Sequence, residues 1–169
     1  MNAVLSAWNG AAPQEAVDAM LACCGARRWA ETMAALRPIG SVMELSVEAD
    51  RIWRTMEESD WMQAFARHPR IGERNAAHAS QKSATWSRQE QSSADDANER
   101  VLAELAAGNA LYEQRFGFTY IVCATGKSAE EMLGILNRRL ANTREAELRE
   151  AAEQQRQITQ IRLGRWLVE

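Results

Sequence analysis

Histidine is scarce in this sequence: His68 and His78 are the whole supply in 169 residues. Cysteine is scarce too, and Cys23, Cys24 and Cys123 form an odd set with two neighbours in sequence. Such a set is a poor disulfide framework, so reduced thiols buried as small apolar side chains are expected. Neither residue type shows metal-ligand spacing. His68, Glu73 and His78 do not fall into H-E-x-x-H, so no metal site is expected and His78 reads as a surface residue. No apolar run approaches the roughly 20 residues of a membrane span. The first residues lack the basic and apolar regions of a signal peptide, and the final GRWLVE is no peroxisomal address, so a cytoplasmic protein is expected. The formal net charge is only −3. Basic residues are dispersed and aromatics do not interleave with them, which argues against nucleic acid and anionic membranes as partners. Internal repeats and long low-complexity segments are missing as well.

What is present is ordinary globular material: 46% apolar and 25% charged residues. The length suits a single domain over 1–169 with a core of its own. Most of the chain carries helical spacing. A helix is predicted from Pro13 toward Gly25, with proline at an early position and glycine past the end. A second runs over RRWAETMAALRP and stops at Pro38. A third covers Leu45 to about Met56. The stretch SDWMQAFARH predicts a fourth, capped by Ser59 or Asp60, with Trp61, Met62 and Phe65 on its apolar face. Pro69 disfavours helical geometry at His68, so that helix is predicted to end there. Residues 74–83 read as a loop or weak helix and TWSRQEQSS as a short helix. A long helix follows over 94–116, closed by Gly117. FTYIVCAT is the one strand-like stretch, equally readable as a buried extended segment. Ser128 and Glu131 predict a capping box for the next helix. The last helix starts near Thr143, with Leu148, Ala151, Ala152, Ile158, Ile161, Leu163 and Leu167 inside. The expected fold is all-α: a single compact domain of about seven to nine helices, an irregular bundle with at most one short extended segment.

Four places could carry chemistry. His68 at a helix end has a structural use, since its charged ring complements the negative end of the dipole. Pro69 beside it and Gly72 beyond it also suit a positioned acid, base or hydrogen-bond donor. In SRQEQ, Ser87, Glu90 and Gln91 share one helical face, either a solvated capping face or a polar grip for a heterocycle. Beyond Gly117, the segment could offer backbone N–H and C=O groups to a ligand. Arg162 stands between Ile161 and Leu163 and shares a face with Ile158 and Trp166, so it needs an anion, an internal Glu or a substrate carboxylate.

AFARHPRIGE, SRQEQ, NALYEQRFGFTYIV, LNRRLANTREAELREA and ITQIRL occur together, in that order. The set resembles the ureidoimidazoline decarboxylases of purine breakdown, which act on 2-oxo-4-hydroxy-4-carboxy-5-ureidoimidazoline (OHCU). The likeness runs from about Leu21 to Leu167. It implies an all-helical domain that converts OHCU to (S)-allantoin and carbon dioxide without a cofactor. It places the catalytic histidine on His68 and its partner carboxylate on Glu90. Ser87 and Gln91 fall on the substrate-binding hydroxyl and amide, and Arg162 on the arginine that meets the substrate. Pro69 and the backbone of Ile121, Val122 and Cys123 fall on the pocket lining. Members are often homodimers, so a homodimer is expected. The sequence departs from the family pattern at Ile39, where an aromatic is common, and at SSADDAN after EQ, where relatives carry a small-residue turn. Two other classes compete: a non-catalytic helical interaction module, and a hydrolase of a related ureido ring compound. The second needs an activated water, for which the sequence offers neither a metal set nor a nucleophile triad.

Overall fold

The computed structural model describes residues 1–72, 81–90 and 99–169. Among these residues it has nine helices and no strand: α1 (Ala3–Gly10), α2 (Pro13–Cys23), α3 (Arg27–Ala35), α4 (Val42–Arg54), α5 (Glu58–Phe65), α6 (Gln81–Glu90), α7 (Glu99–Phe116), α8 (Ala129–Arg139) and α9 (Arg144–Trp166). The fold is all-α, as the spacing predicts.

The helix ends follow side-chain chemistry. The Asn2 side chain accepts the Leu5 N–H at 3.0 Å and starts α1. That helix is absent from the sequence prediction, because eight residues with buried positions only at Leu5 and Trp8 carry too little periodicity. Ser41 caps α4 and Ser128 caps α8, each accepting the backbone N–H three residues on. Helix α5 corrects the prediction at both ends. It begins at Glu58, and Asp60 sits in its first turn, accepting the Glu57 N–H at 3.0 Å. It ends at Phe65, three residues before His68, whose N–H closes a tight turn onto the Phe65 carbonyl at 3.1 Å. Pro69 already forbids His68 a comfortable helical geometry, so the chain leaves the helix early. Helix α6 starts earlier than TWSRQEQSS suggests. Gly117 takes a left-handed φ of +83° and returns its N–H to the Glu113 carbonyl, stopping α7.

The chain divides into two compact units, Met1–Ala64 with Arg156–Glu169, and Phe65–Gln155. In the first, α3 packs on α2 and α4. Leu5, Met20, Trp29, Met33, Leu45 and Ile52 are fully buried there, and the Trp29 indole N–H donates to the Ala49 carbonyl at 3.0 Å. Ile39, the expected departure from the resembled pattern, is buried. Asn9 holds it by both backbone groups, at 2.9 and 2.8 Å.

In the second unit α7 packs on α8, and an aromatic cluster forms its centre. Tyr112 lies 4.7 Å from Phe116 and 5.4 Å from Tyr120 between ring centroids, and Phe65 lies 5.4 Å from Phe118. The strand-like FTYIVCAT is a buried extended segment without strand pairing. An ionic network ties this segment to the helices. Arg139 Nη1 donates to the Ile121 carbonyl at 2.6 Å, and its Nε donates to Glu147 Oε1 at 2.7 Å. The Tyr112 hydroxyl and Asn142 Nδ2 also donate to the Glu147 carboxylate. Burial and the bond to Glu147 push the Tyr112 phenol well above its usual range. Burial acts to lower Arg139, but Glu147 and the two tyrosines outweigh it and keep the guanidinium charged.

Candidate active site

His68 follows the turn that ends α5. Its neighbour Pro69 is buried, and Gly72 takes φ +93°, a left-handed geometry that a side chain would strain. Nε2 of His68 lies 2.6 Å from the side-chain oxygen of Gln155, which is 0% exposed on α9. The Ile71 carbonyl accepts a long 3.5 Å bond from buried Asn109. The ring is therefore held from a helix interior, not left as a charge in solvent at a helix end.

Helix α6 overturns the capping-face reading of SRQEQ. Ser83, Trp86, Ser87 and Glu90 recur at three- and four-residue spacing and are all buried, Ser87 at 3% and Glu90 at 8% exposed. Ser87 lies within α6 rather than at its start, so it is no N-cap. A buried hydroxyl and carboxyl cost several kcal/mol unless hydrogen-bonded, and both are engaged by neighbouring groups. Gln91 and His78 lie outside the described residues, as do Glu73 and the SSADDAN departure.

Ile121, Val122 and Cys123 are buried. The expectation that this backbone is open to a ligand needs correction on either side of Val122. Arg139 takes the Ile121 carbonyl. Gln154 takes the Cys123 N–H at 2.8 Å, and Lys127 donates to the Cys123 carbonyl at 2.7 Å. Among the described residues, the N–H and C=O of Val122 take no hydrogen bond. His68, Pro69, Ser87, Glu90 and the 121–123 segment all belong to the unit Phe65–Gln155.

Arg162 belongs to the other unit and is 4% exposed. It neighbours the Cys24 thiol, which also meets Thr159. Burial pushes that thiol up to about 11, with the Ala26 backbone, Thr159 and the charge of Arg162 opposing. All three cysteines are buried and unpaired with one another. Among the described residues, no three His, Cys, Asp or Glu side chains stand together as a metal-binding group, and no helix is long and apolar enough to cross a membrane.

Sequence reasoning missed Gln155, Gln154, Arg139 and Glu147. Their signal is register. Glu147, Leu148, Ala151, Ala152 and Gln155 recur at three- and four-residue spacing and are all buried, whereas Ile161, expected inside, is only half-buried.

A sequence profile described as OHCU decarboxylase matches residues 9–164. The chain is 34% identical over 149 residues to the uric acid degradation bifunctional protein TTL of Arabidopsis thaliana, covering 88% of this chain and 46% of that protein. It is 25% identical over 139 residues to the 2-oxo-4-hydroxy-4-carboxy-5-ureidoimidazoline decarboxylase of Haloferax volcanii, covering 80% of this chain and 78% of that protein. It spans less than half the length of the first curated relatives it matches. A crystal structure of OHCU decarboxylase in the presence of (S)-allantoin superposes with a TM-score of 0.76 at 32% identity, over 88% of this chain and 96% of that one. With the matched profile covering nearly all of its length, the chain belongs to the OHCU decarboxylase family.

Proposed function

We propose that this chain catalyses cofactor-independent decarboxylation of OHCU to (S)-allantoin in urate breakdown, with residues 1–169 working as one domain. The observation that carries the assignment is the burial of Ser87 and Glu90 on α6 in a chain of this family. An interaction module that used this stretch only as a capping face would leave both in water. Supporting the one-domain assignment, the family profile spans residues of both compact units.

The chemistry sets the roles. The bond from C4 to the carboxylate breaks and carbon dioxide leaves. The electron pair passes into the neighbouring ring C=N, whose nitrogen takes up a proton, giving a neutral enol-like intermediate. Delivery of a proton to one face of C5, with loss of the 4-hydroxyl proton, completes allantoin. Because the ring itself takes up the electrons, the protein must orient the carboxylate, stabilise developing charge and move protons. His68 and Glu90 serve as the acid–base pair. Arg162 meets the substrate's anionic group by a forked hydrogen bond. Ser87 and Gln91 bind ring or ureido groups. Pro69 and Ile121 to Cys123 line the pocket, where the unengaged backbone of Val122 is suited to a polar group of the substrate. A homodimer in the cytoplasm completes the proposal.

The test is to add the purified protein to freshly generated OHCU and follow carbon dioxide release together with the optical sign of the product. Accelerated release of one enantiomer is expected; racemic allantoin at the blank rate would sink the assignment.

A further inference from the structure

A neutral imidazole has one N–H donor and one lone-pair acceptor, and its neighbours decide which nitrogen is which. The Nε2 of His68 faces the Gln155 side-chain oxygen at 2.6 Å. A carbonyl oxygen only accepts, so with the Gln155 amide in this orientation the bond is made by the Nε2–H tautomer, in which Nδ1 is the acceptor. Several features keep this arrangement from relaxing. Gln155 is 0% exposed, with Ala151 and Ala152 buried one turn before it. On the other partner, the main-chain N–H of His68 is tied to Phe65 and Pro69 is buried next to it. The adjacent Gln154 does the same kind of work, accepting from the Cys123 N–H at 2.8 Å while donating to Glu150 at 3.1 Å. Two consecutive amides of α9 thus hold the histidine and the 121–123 segment.

We infer that Gln155 is a positioning residue, which fixes neutral His68 as the Nε2–H tautomer and so makes Nδ1 the atom that exchanges a proton during turnover. The role in turnover rests on the function proposed above; the tautomer does not. An amide suits the task because it orients the ring without placing a second charge against it, as a carboxylate would.

The ring 15N resonances of the untagged, labelled protein test this directly. Only two histidines contribute, and the spectrum of His68→Ala assigns the signal. With the ring neutral, the native protein is expected to show one tautomer, protonated at Nε2. Gln155→Leu is expected to show a mixture of tautomers at His68 and to lose about tenfold to a hundredfold in kcat with KM little changed. A native ring protonated at Nδ1, or a tautomer unaltered by Gln155→Leu, would overturn the inference. So would an altered tautomer with full kcat, because the bond would then be structural only. If the native protein leaves OHCU at the blank rate, the proposed function fails, while the resonances still decide what Gln155 does to His68.

Discussion

A buried polar side chain is costly to keep, so each one here has a role that substitution can expose. Buried Glu90 is the sharpest case, together with half-buried His68, whose ring is bonded to buried Gln155. If they form the acid–base pair, His68→Ala and Glu90→Ala should fold and lose about 10²–10⁴-fold in turnover of fresh OHCU. Near-native turnover in either variant would remove that residue from the chemistry. Cys24 carries a different prediction. Its thiol is held up to about 11 in the folded protein, against 9.0 for the free group. The unfolded chain loses this proton first as pH rises. The associated stability is therefore complete below about pH 9 and declines through pH 11, by up to about 3 kcal/mol. Cys24→Ala should flatten that alkaline decline in urea titrations, and an unchanged slope would exclude the thiol as its source. Some of these residues are legible from their letters. The pair Ser87 and Glu90 stands out by spacing, and His68 by its rarity and by Pro69. Gln155 does not, because in EQQRQ it looks like any exposed glutamine until the burial of Ala151 and Ala152 gives the register.

At the scale of elements, helices are easy to see wherever apolar spacing is clean, as in α7. Helix α9 hides its inner face, since Glu147, Gln155, Thr159 and Arg162 occupy buried positions where hydrophobic residues would announce it. Glu147 joins α7, α8 and α9 through Tyr112, Arg139 and Asn142. Glu147→Gln would leave the Arg139 charge buried without its counter-ion. A loss of about 3–5 kcal/mol is expected from the urea midpoint, a large share of an ordinary domain's 5–15 kcal/mol, as an order of magnitude. A variant within about 1 kcal/mol of the native protein would show the network to be dispensable. The α7–α8 crossing depends instead on the lack of a side chain. A Cβ on Gly108 would stand 2.6 Å from Leu136 Cδ2, and Leu136 is fully buried. Gly108→Ala should cost about 1–3 kcal/mol by overpacking, despite alanine's better helix propensity. Leu136→Val should recover part of that loss in the double variant, and strictly additive costs would exclude the clash.

On the scale of the whole molecule, the discontinuity of the first unit has the largest consequences. Residues 156–169 complete it. Asn2 bonds the Leu167 carbonyl at 3.0 Å, and Gln160 reaches Ser46 and Asp50. Arg156 pairs with Asp50, and Trp8 meets Trp166 edge-on at 5.9 Å. Nothing in the local sequence of 1–64 announces this dependence, because it is written in pairings more than 100 residues apart. A chain ended at Gln155 should lose the near-ultraviolet signal of Trp8 and Trp29 and the cooperative melting of the first unit, while the unit Phe65–Gln155 keeps its residues. A native-like melt would show that residues 1–64 stand alone. The same discontinuity orders events during synthesis. Helices α1 to α4 leave the ribosome before α9, yet their unit cannot close until the final turns of α9 emerge. The unit begun first is therefore the last to be finished, and it waits with Trp8 lacking its Trp166 partner while the residues between are translated, which is the interval in which a holding chaperone would find it.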